Sequence, residues 1–157
     1  AENLYAIEGL ADANIHLENY EEAISLYSEL LNVDIYTSAQ KGVFYNNIGF
    51  AFLKLENYSE AMTFLNAAIN HTADFAYAYD NRGFCRFKMG AVRAGLQEVE
   101  QSLQIDPSNA YGYKNRGIIQ HYLGEKELAM ADFLKAKELG YSEKYDSEVE
   151  ELIANFT

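Results

Sequence analysis

One proline, one cysteine and no tryptophan occur among these 157 residues, and each scarcity narrows the fold. With proline so rare and alanine, leucine, glutamate and tyrosine so common, helices are favoured over strands, and no segment has the composition of a disordered linker. The lone Cys85 cannot form an internal disulfide, and a single thiolate cannot build a metal site. No run of about 18 apolar residues is present, which argues against membrane insertion as a helix. A glycine-rich phosphate loop is also missing, and His16, His71 and His121 do not form an HxxxH or HExxH pair. No cofactor and no metal are therefore expected, and the chain is read as a non-enzyme.

Positive charge is the most unevenly missing quantity. Residues 1–40 hold eight acidic side chains and no lysine or arginine, residues 41–141 hold eleven of each sign, and residues 142–157 hold five acids against Lys144. Acidic ends around a neutral middle argue against nucleic acid and anionic membranes, both of which require clustered cations. Basic or neutral protein partners suit this balance better. The 49% hydrophobic fraction is ample for a core.

What the chain does contain is a beat. Tyr79–Gly83 reads YDNRG, Tyr113–Gly117 reads YKNRG, and Tyr45–Gly49 reads YNNIG, each 34 residues from the next. The spacing predicts three units, 42–75, 76–109 and 110–143, each holding two helical patterns. In the second half of the first of these, Tyr58, Ala61, Met62, Leu65 and Ala68 fall on one helical stripe. The same stripe recurs upstream as Tyr20, Ala23, Ile24, Tyr27, Leu30 and Leu31, which predicts a further unit over 4–37 with about four extra residues in the connection at 36–40. Asp106-Pro107-Ser108-Asn109 reads as a helix stop followed by capping side chains, and Gly90 and Gly124 fall between the helices of a pair. Beyond the last unit, Tyr145, Val149, Leu152, Ile153 and Phe156 share one face of a final helix over about 144–156, placed to cover the bare end of a stack.

A 34-residue helix-turn-helix unit with an aromatic, a glycine, an alanine and then an aromatic or aliphatic residue resembles the tetratricopeptide repeat. Tyr113, Gly117, Ala129, Phe133 and Ala136 carry the resemblance in the last unit, and Tyr45, Gly49, Ala61, Leu65 and Ala68 carry it in an earlier one. Gly95 stands where alanine is expected, Ala11 replaces the first unit's glycine, and proline survives only at Pro107. The resemblance implies an all-α, right-handed superhelical solenoid of antiparallel helix pairs with a capping helix. It also implies a protein or peptide partner held along the inner wall lined by the first helices.

Gly49, Gly83 and Gly117 are read as close-approach points between the two helices of a pair, and Tyr45, Tyr79 and Tyr113, one turn earlier, as filling between them. Asn47, Asn81 and Asn115 lie two residues before each glycine, about 200° around the helix from it. An amide there can bond a guest backbone through its donors and acceptor; the alternative is that it solvates a face or caps a neighbouring turn. By the same offsets the expected groove also takes Asn46, Asp80 and Lys114, the aromatics Phe50, Phe84, Tyr77 and Tyr111, and Lys54, Lys88 and His121. Phe50 and Phe84 have a second reading as packing between repeats. Glu8 and Asp12 near one end and lysines further on give the expected groove a polarity. Cys85 is read as a buried inert thiol, and Arg82 and Arg116 as packed stems reaching for carboxylates. The alternative function is structural, with the chain self-associating as a homo-oligomer or serving as an assembly subunit; a small-ligand or catalytic role is the third.

Overall fold

The computed structural model describes residues 2–141 and 147–156. Among them the chain forms helices and no strand: α1 (Glu2–His16), α2 (Tyr20–Leu31), α3 (Ser38–Lys54), α4 (Tyr58–His71), α5 (Ala76–Lys88), α6 (Val92–Ile105), α7 (Ala110–Tyr122), α8 (Lys126–Glu138) and α9 (Glu148–Ala154). Successive helices pack in antiparallel pairs, α1 on α2, α3 on α4, α5 on α6 and α7 on α8, and each first helix after α1 also packs on the second helix of the pair before it. The product is a solenoid.

Apolar periodicity decides which faces close. Tyr20, Ala23, Tyr27 and Leu30 of α2 are buried, as are Ala61, Leu65 and Ala68 of α4 and Ala129, Phe133 and Ala136 of α8. Burying a leucine or phenylalanine of this kind is worth about 1.5–3 kcal/mol, so these stripes outweigh local propensity. Within each pair the chain reverses through a left-handed residue, Glu18, Glu56, Gly90 and Gly124 in turn, with φ of 60°, 60°, 89° and 82°. The joint from α2 to α3 is the long one, and Thr37 ends it with a capping box: its Oγ1 accepts from Gln40 N at 3.3 Å, and its own N–H donates to Gln40 Oε1 at 3.0 Å. At the α6–α7 joint Asp106 accepts from Ser108 N at 2.9 Å, whereas Asn109 does not cap α7 with its side chain. The Asn109 amide turns inward and donates to Ser102 Oγ at 3.0 Å.

The glycines at the pair contacts are sites of close approach. A Cβ on Gly49 would lie 2.6 Å from Leu65 Cγ, one on Gly83 would lie 2.7 Å from the Gly95 carbonyl oxygen, and one on Gly117 would lie 2.6 Å from the Phe133 ring. Gly9 is the contrasting case, because a Cβ there meets nothing within 4 Å. Gly9→Ala is therefore expected to stabilise the chain by about 0.5–1 kcal/mol, read as a rise in the urea midpoint at constant slope.

The end of the stack is covered by α9. Val149 is fully buried, and Leu152, Ile153 and Phe156 pack against Ala129, Phe133 and Ala136. Phe156 sets its ring edge-on to Phe133 at 5.6 Å. Tyr145, expected on the same stripe, lies outside the described residues.

Candidate functional site: the seam of the first helices

The positions two and three residues before each glycine form a hydrogen-bonded seam between successive first helices. Asn81 Nδ2 donates to Asn46 Oδ1, and Asn115 Nδ2 donates to Asp80 Oδ1, both at 3.0 Å and both across 35 residues. At the first joint the same step passes through a tyrosine of α2: Asn47 Nδ2 donates to Tyr27 Oη at 2.8 Å, and the Tyr27 hydroxyl donates to Asp12 Oδ1. Burial, and then the Asp12 carboxylate, push the Tyr27 hydroxyl well above its ordinary range. At the last joint Lys114 Nζ meets Glu148 Oε2 of α9 at 2.8 Å, across 34 residues, with the Tyr111 and Tyr141 rings 4.9 and 5.2 Å from the ammonium. The helix α9 thus enters the seam at the place a further first helix would take.

This changes what the amides do. Sequence reasoning found no packing role for Asn47, Asn81 and Asn115, yet each sends its Nδ2 donor to a neighbouring helix. Asn46, Asp80, Asn81, Lys114 and Asn115 are all buried. An unbonded amide in such a place would cost about 1–3 kcal/mol, so the ladder fixes the register of one pair on the next.

Two adjoining hollows run along this seam, of about 190 and 220 Å3, sharing Phe50, Lys54, Asn81 and Tyr111. The first is also lined by Asn46, Asn47, Tyr77, His16 and Glu18, the second by Phe84, Lys88, Lys114, Asn115 and Glu148. Phe50 packs between repeats, its ring 6.3 Å from Tyr20 and 6.1 Å from Tyr111, and it also lines both hollows. Tyr77 is 37% exposed. The Lys54 and Lys88 side chains are exposed at the mouth. Asp80 and His121 line neither hollow. Asp80 is wholly buried beneath them, and the His121 ring lies 4.8 Å from Phe156.

Glu18, Tyr20, Glu56 and Glu148 also line the hollows and were not expected there. The helical stripe of α2 explains Tyr20 as core and gives no sign of its second face on the hollow. Glu148 was legible in principle, since the step that joins 46 to 81 and 80 to 115 continues from 114 to 148.

Arg82 and Arg116 each meet a carboxylate of the second helix of their own pair, and Arg82 also reaches α4 of the pair before. Arg82 donates to both Glu98 oxygens, at 3.0 and 2.7 Å, and to Asn66 Oδ1 at 2.7 Å; Arg116 donates to both Asp132 oxygens at 2.7 Å. The Arg82 and Arg116 guanidinium groups lie 5.4 Å from the Tyr79 and Tyr113 ring centres. The Cys85 thiol is buried against the α4 start, donating to the Tyr58 carbonyl at 3.4 Å, and burial pushes its pKa up to about 11. At neutral pH it is a thiol and not a nucleophilic thiolate. Among the described residues no three His, Cys, Asp or Glu side chains gather as a metal site, and no helix is long and apolar enough to cross a membrane.

The family model of the tetratricopeptide repeat matches residues 43–70, which span most of α3 and α4. The fold is the tetratricopeptide-repeat solenoid. Among solved structures it is similar to MamA from Desulfovibrio magneticus RS-1, at 19% identity and a TM-score of 0.65, over 88% of this chain and 76% of that one. The first tetratricopeptide-repeat domain of Spaghetti (RPAP3), solved with the HSP90 peptide SRMEEVD, is similar over 79% of this chain and 95% of that one, at 21% identity and a TM-score of 0.65. YrrB, described as a tetratricopeptide-repeat protein with an unusual peptide-binding site, shares 22% identity over 87% of this chain and 69% of its own, at a TM-score of 0.61. No curated protein matches by sequence. Likeness at these identities speaks to the repeat architecture alone.

Proposed function

We propose that this chain is a protein-interaction module that holds an extended or helical segment of a partner along the seam of its first helices. The observation that carries the reading is the pair of adjoining hollows with an aromatic floor of Phe50, Phe84, Tyr77 and Tyr111 and exposed lysines at the mouth. Aromatic floors supply apolar contact area at low entropic cost, and a few polar groups at the rim orient the guest. Two of the similar structures are peptide binders by their own descriptions, which agrees with a groove used in this way.

The electrostatics give the guest a direction. Glu18 stands by the first hollow, Lys54 between the two, and Lys88 with Glu56 by the second, while Lys114 is neutralised by Glu148, so the balance runs from acidic to slightly basic. A guest with a basic residue toward α1 and an acidic one toward α5 fits this order.

The seam amides are poor probes of the proposal, because removing them loosens the stack. Tyr77→Ala, and separately Lys54→Ala with Lys88→Ala, test it without touching the ladder. Peptides selected from a displayed random library against the wild type are expected to lose about tenfold in affinity on Tyr77→Ala. They are expected to lose salt dependence on the double lysine change. Peptides that bind all three proteins alike, with unchanged salt dependence, would place the binding surface elsewhere.

A further inference from the structure

The two hollows of the seam differ in chemistry. Four rings line the first, and Phe50 stands edge-on between two of them, 6.3 Å from Tyr20 and 6.1 Å from Tyr111, at interplanar angles of 76° and 82°. The fourth ring, Tyr77, is braced edge-on by Phe75 at 6.3 Å. Glu18 and Lys54 bring one charge of each sign to the first hollow, so it favours neither an ammonium nor a carboxylate. In the second, Lys54, Lys88 and Lys114 outnumber Glu56 and Glu148. At about 190 Å3 the first hollow falls below the roughly 300–1,000 Å3 of pockets for drug-sized ligands, which leaves room for a single side chain.

The amides around that hollow leave one acceptor unspent. Asn46 Oδ1 accepts from Asn81 at 3.0 Å, and Asn47 Oδ1 accepts from Asn46 Nδ2 at 3.2 Å. Among the described residues no group donates to Asn81 Oδ1. Asn81 is 6% exposed and lines both hollows, and its oxygen is not sealed off as Asn115 Oδ1 is. A guest group filling the first hollow therefore covers this acceptor, and must either bring a donor or leave it unpaired. An apolar ring with a donor at its edge belongs to tryptophan, whose indole N–H only donates, and to tyrosine. Given the seam as the binding groove, we propose that the first hollow is a specificity pocket for one tryptophan or tyrosine side chain of the partner segment. Its ring sits among Tyr20, Phe50, Tyr77 and Tyr111, and its N–H or O–H donates to Asn81 Oδ1.

The chain contains no tryptophan, so the emission of a tryptophan-bearing peptide reports the guest alone. Peptides selected from a displayed random library against the wild type are expected to share a tryptophan or tyrosine at one position. In a tryptophan peptide that residue is replaced by phenylalanine and, separately, by indole-N-methylated tryptophan; in a tyrosine peptide, by phenylalanine and by O-methyltyrosine. One change removes the donor with a smaller side chain and the other with a larger one, and each is expected to cost about tenfold in affinity. Replacement by alanine is expected to cost about tenfold or more on the wild type but less than about threefold on Tyr77→Ala, because both changes remove the same contact. Tyr77 is partly exposed and stands outside the ladder, so the variant should melt with the wild type, and the donor-free peptides need no variant at all. Selected peptides that depend on Tyr77 but share no tryptophan or tyrosine, or that tolerate both donor-free replacements, would overturn the pocket and leave the groove standing. Equal losses on wild type and Tyr77→Ala would place the ring outside the first hollow and overturn it as well. A library whose binders are indifferent to Tyr77, Lys54 and Lys88 would remove the groove, and the pocket with it.

Discussion

Replacing Gly83 by alanine is expected to lower the melting temperature by roughly 6 °C, the largest fall among alanine replacements of the three first-helix contact glycines Gly49, Gly83 and Gly117. The new Cβ would stand 2.7 Å from the carbonyl oxygen of Gly95, and 2.9 Å from both the backbone nitrogen and a methyl of Val99. Two of those three atoms are main chain, so relief requires moving α5 away from α6. The opposing residue is itself a glycine, and a Cβ on Gly95 would come 2.5 Å from the Gly83 carbonyl oxygen and 2.9 Å from Phe87 N. The helices of this pair therefore touch backbone to backbone. Overpacking of that kind costs about 3 kcal/mol, against which alanine's better helix propensity returns about 1 kcal/mol at most. Gly49→Ala should cost less, because its two nearest obstacles belong to the flexible Leu65 side chain. Gly117→Ala, facing the Phe133 ring at 2.6 Å and the Ala129 carbonyl at 3.1 Å, should fall between them. Thermal unfolding of the three variants checks the order, and a Gly83→Ala protein as stable as Gly49→Ala would refute the backbone contact.

Gly95 shows how far the sequence could be read. It first registers as a departure from the repeat pattern, where its neighbours in register, Ala61 and Ala129, keep alanine. In the structure it is the partner that lets Gly83 come closer than Gly49 or Gly117 can. The helices themselves were legible because apolar residues recur at helical spacing and glycines at a fixed 34 residues, signals that depend only on local geometry and repetition. The lining of the two hollows was legible in outline, since the offsets that put Phe50, Phe84, Tyr77, Tyr111, Lys54 and Lys88 on one wall follow from the same helix period. What the period cannot disclose is which of several side chains on a wall reaches across to the next helix. Taken one unit at a time, Asn47, Asn81 and Asn115 face the inner wall, away from the partner helix of their own pair; with the units side by side, Asn81 and Asn115 each have a hydrogen-bond partner 35 residues back and Asn47 has one in Tyr27 of α2. The pairing of Lys114 with Glu148 was hidden for a further reason, because α9 stands outside the repeat pattern while continuing its spacing.

The same ladder predicts that Asp80→Asn will stabilise the chain at neutral pH by as much as about 3 kcal/mol, and that the gain will vanish in acid. Asp80 is the one carboxylate among the buried rungs at 46–81 and 80–115, and burial pushes its pKa up to about 6 from the ordinary 3.8, against the opposing pull of the Asn115 amide, the Lys114 ammonium and the Asn109 amide. An acid whose pKa is raised on folding binds protons more readily in the folded state. Stability is therefore greatest below the unfolded value, falls as pH rises between about 4 and about 6, and stays reduced above that. The surroundings explain the preference for the protonated form: Asp80 Oδ2, Asn115 Oδ1 and Asn109 Oδ1 are buried acceptors without a donor, so a proton on Asp80 supplies what the cluster lacks. Asparagine supplies amide hydrogens at every pH, and the rung one repeat earlier already works that way, with Asn46 Oδ1 accepting from Asn81 at 3.0 Å. Urea titrations of wild type and Asp80→Asn at pH 7.5 and pH 3.5 should show the variant ahead only at the higher pH. Because every other carboxylate titrates in both proteins, the difference between them isolates residue 80. A variant advantage that is the same at both pH values would mean that folding leaves the Asp80 pKa where it stands in the unfolded chain, with Lys114 and the amides cancelling burial.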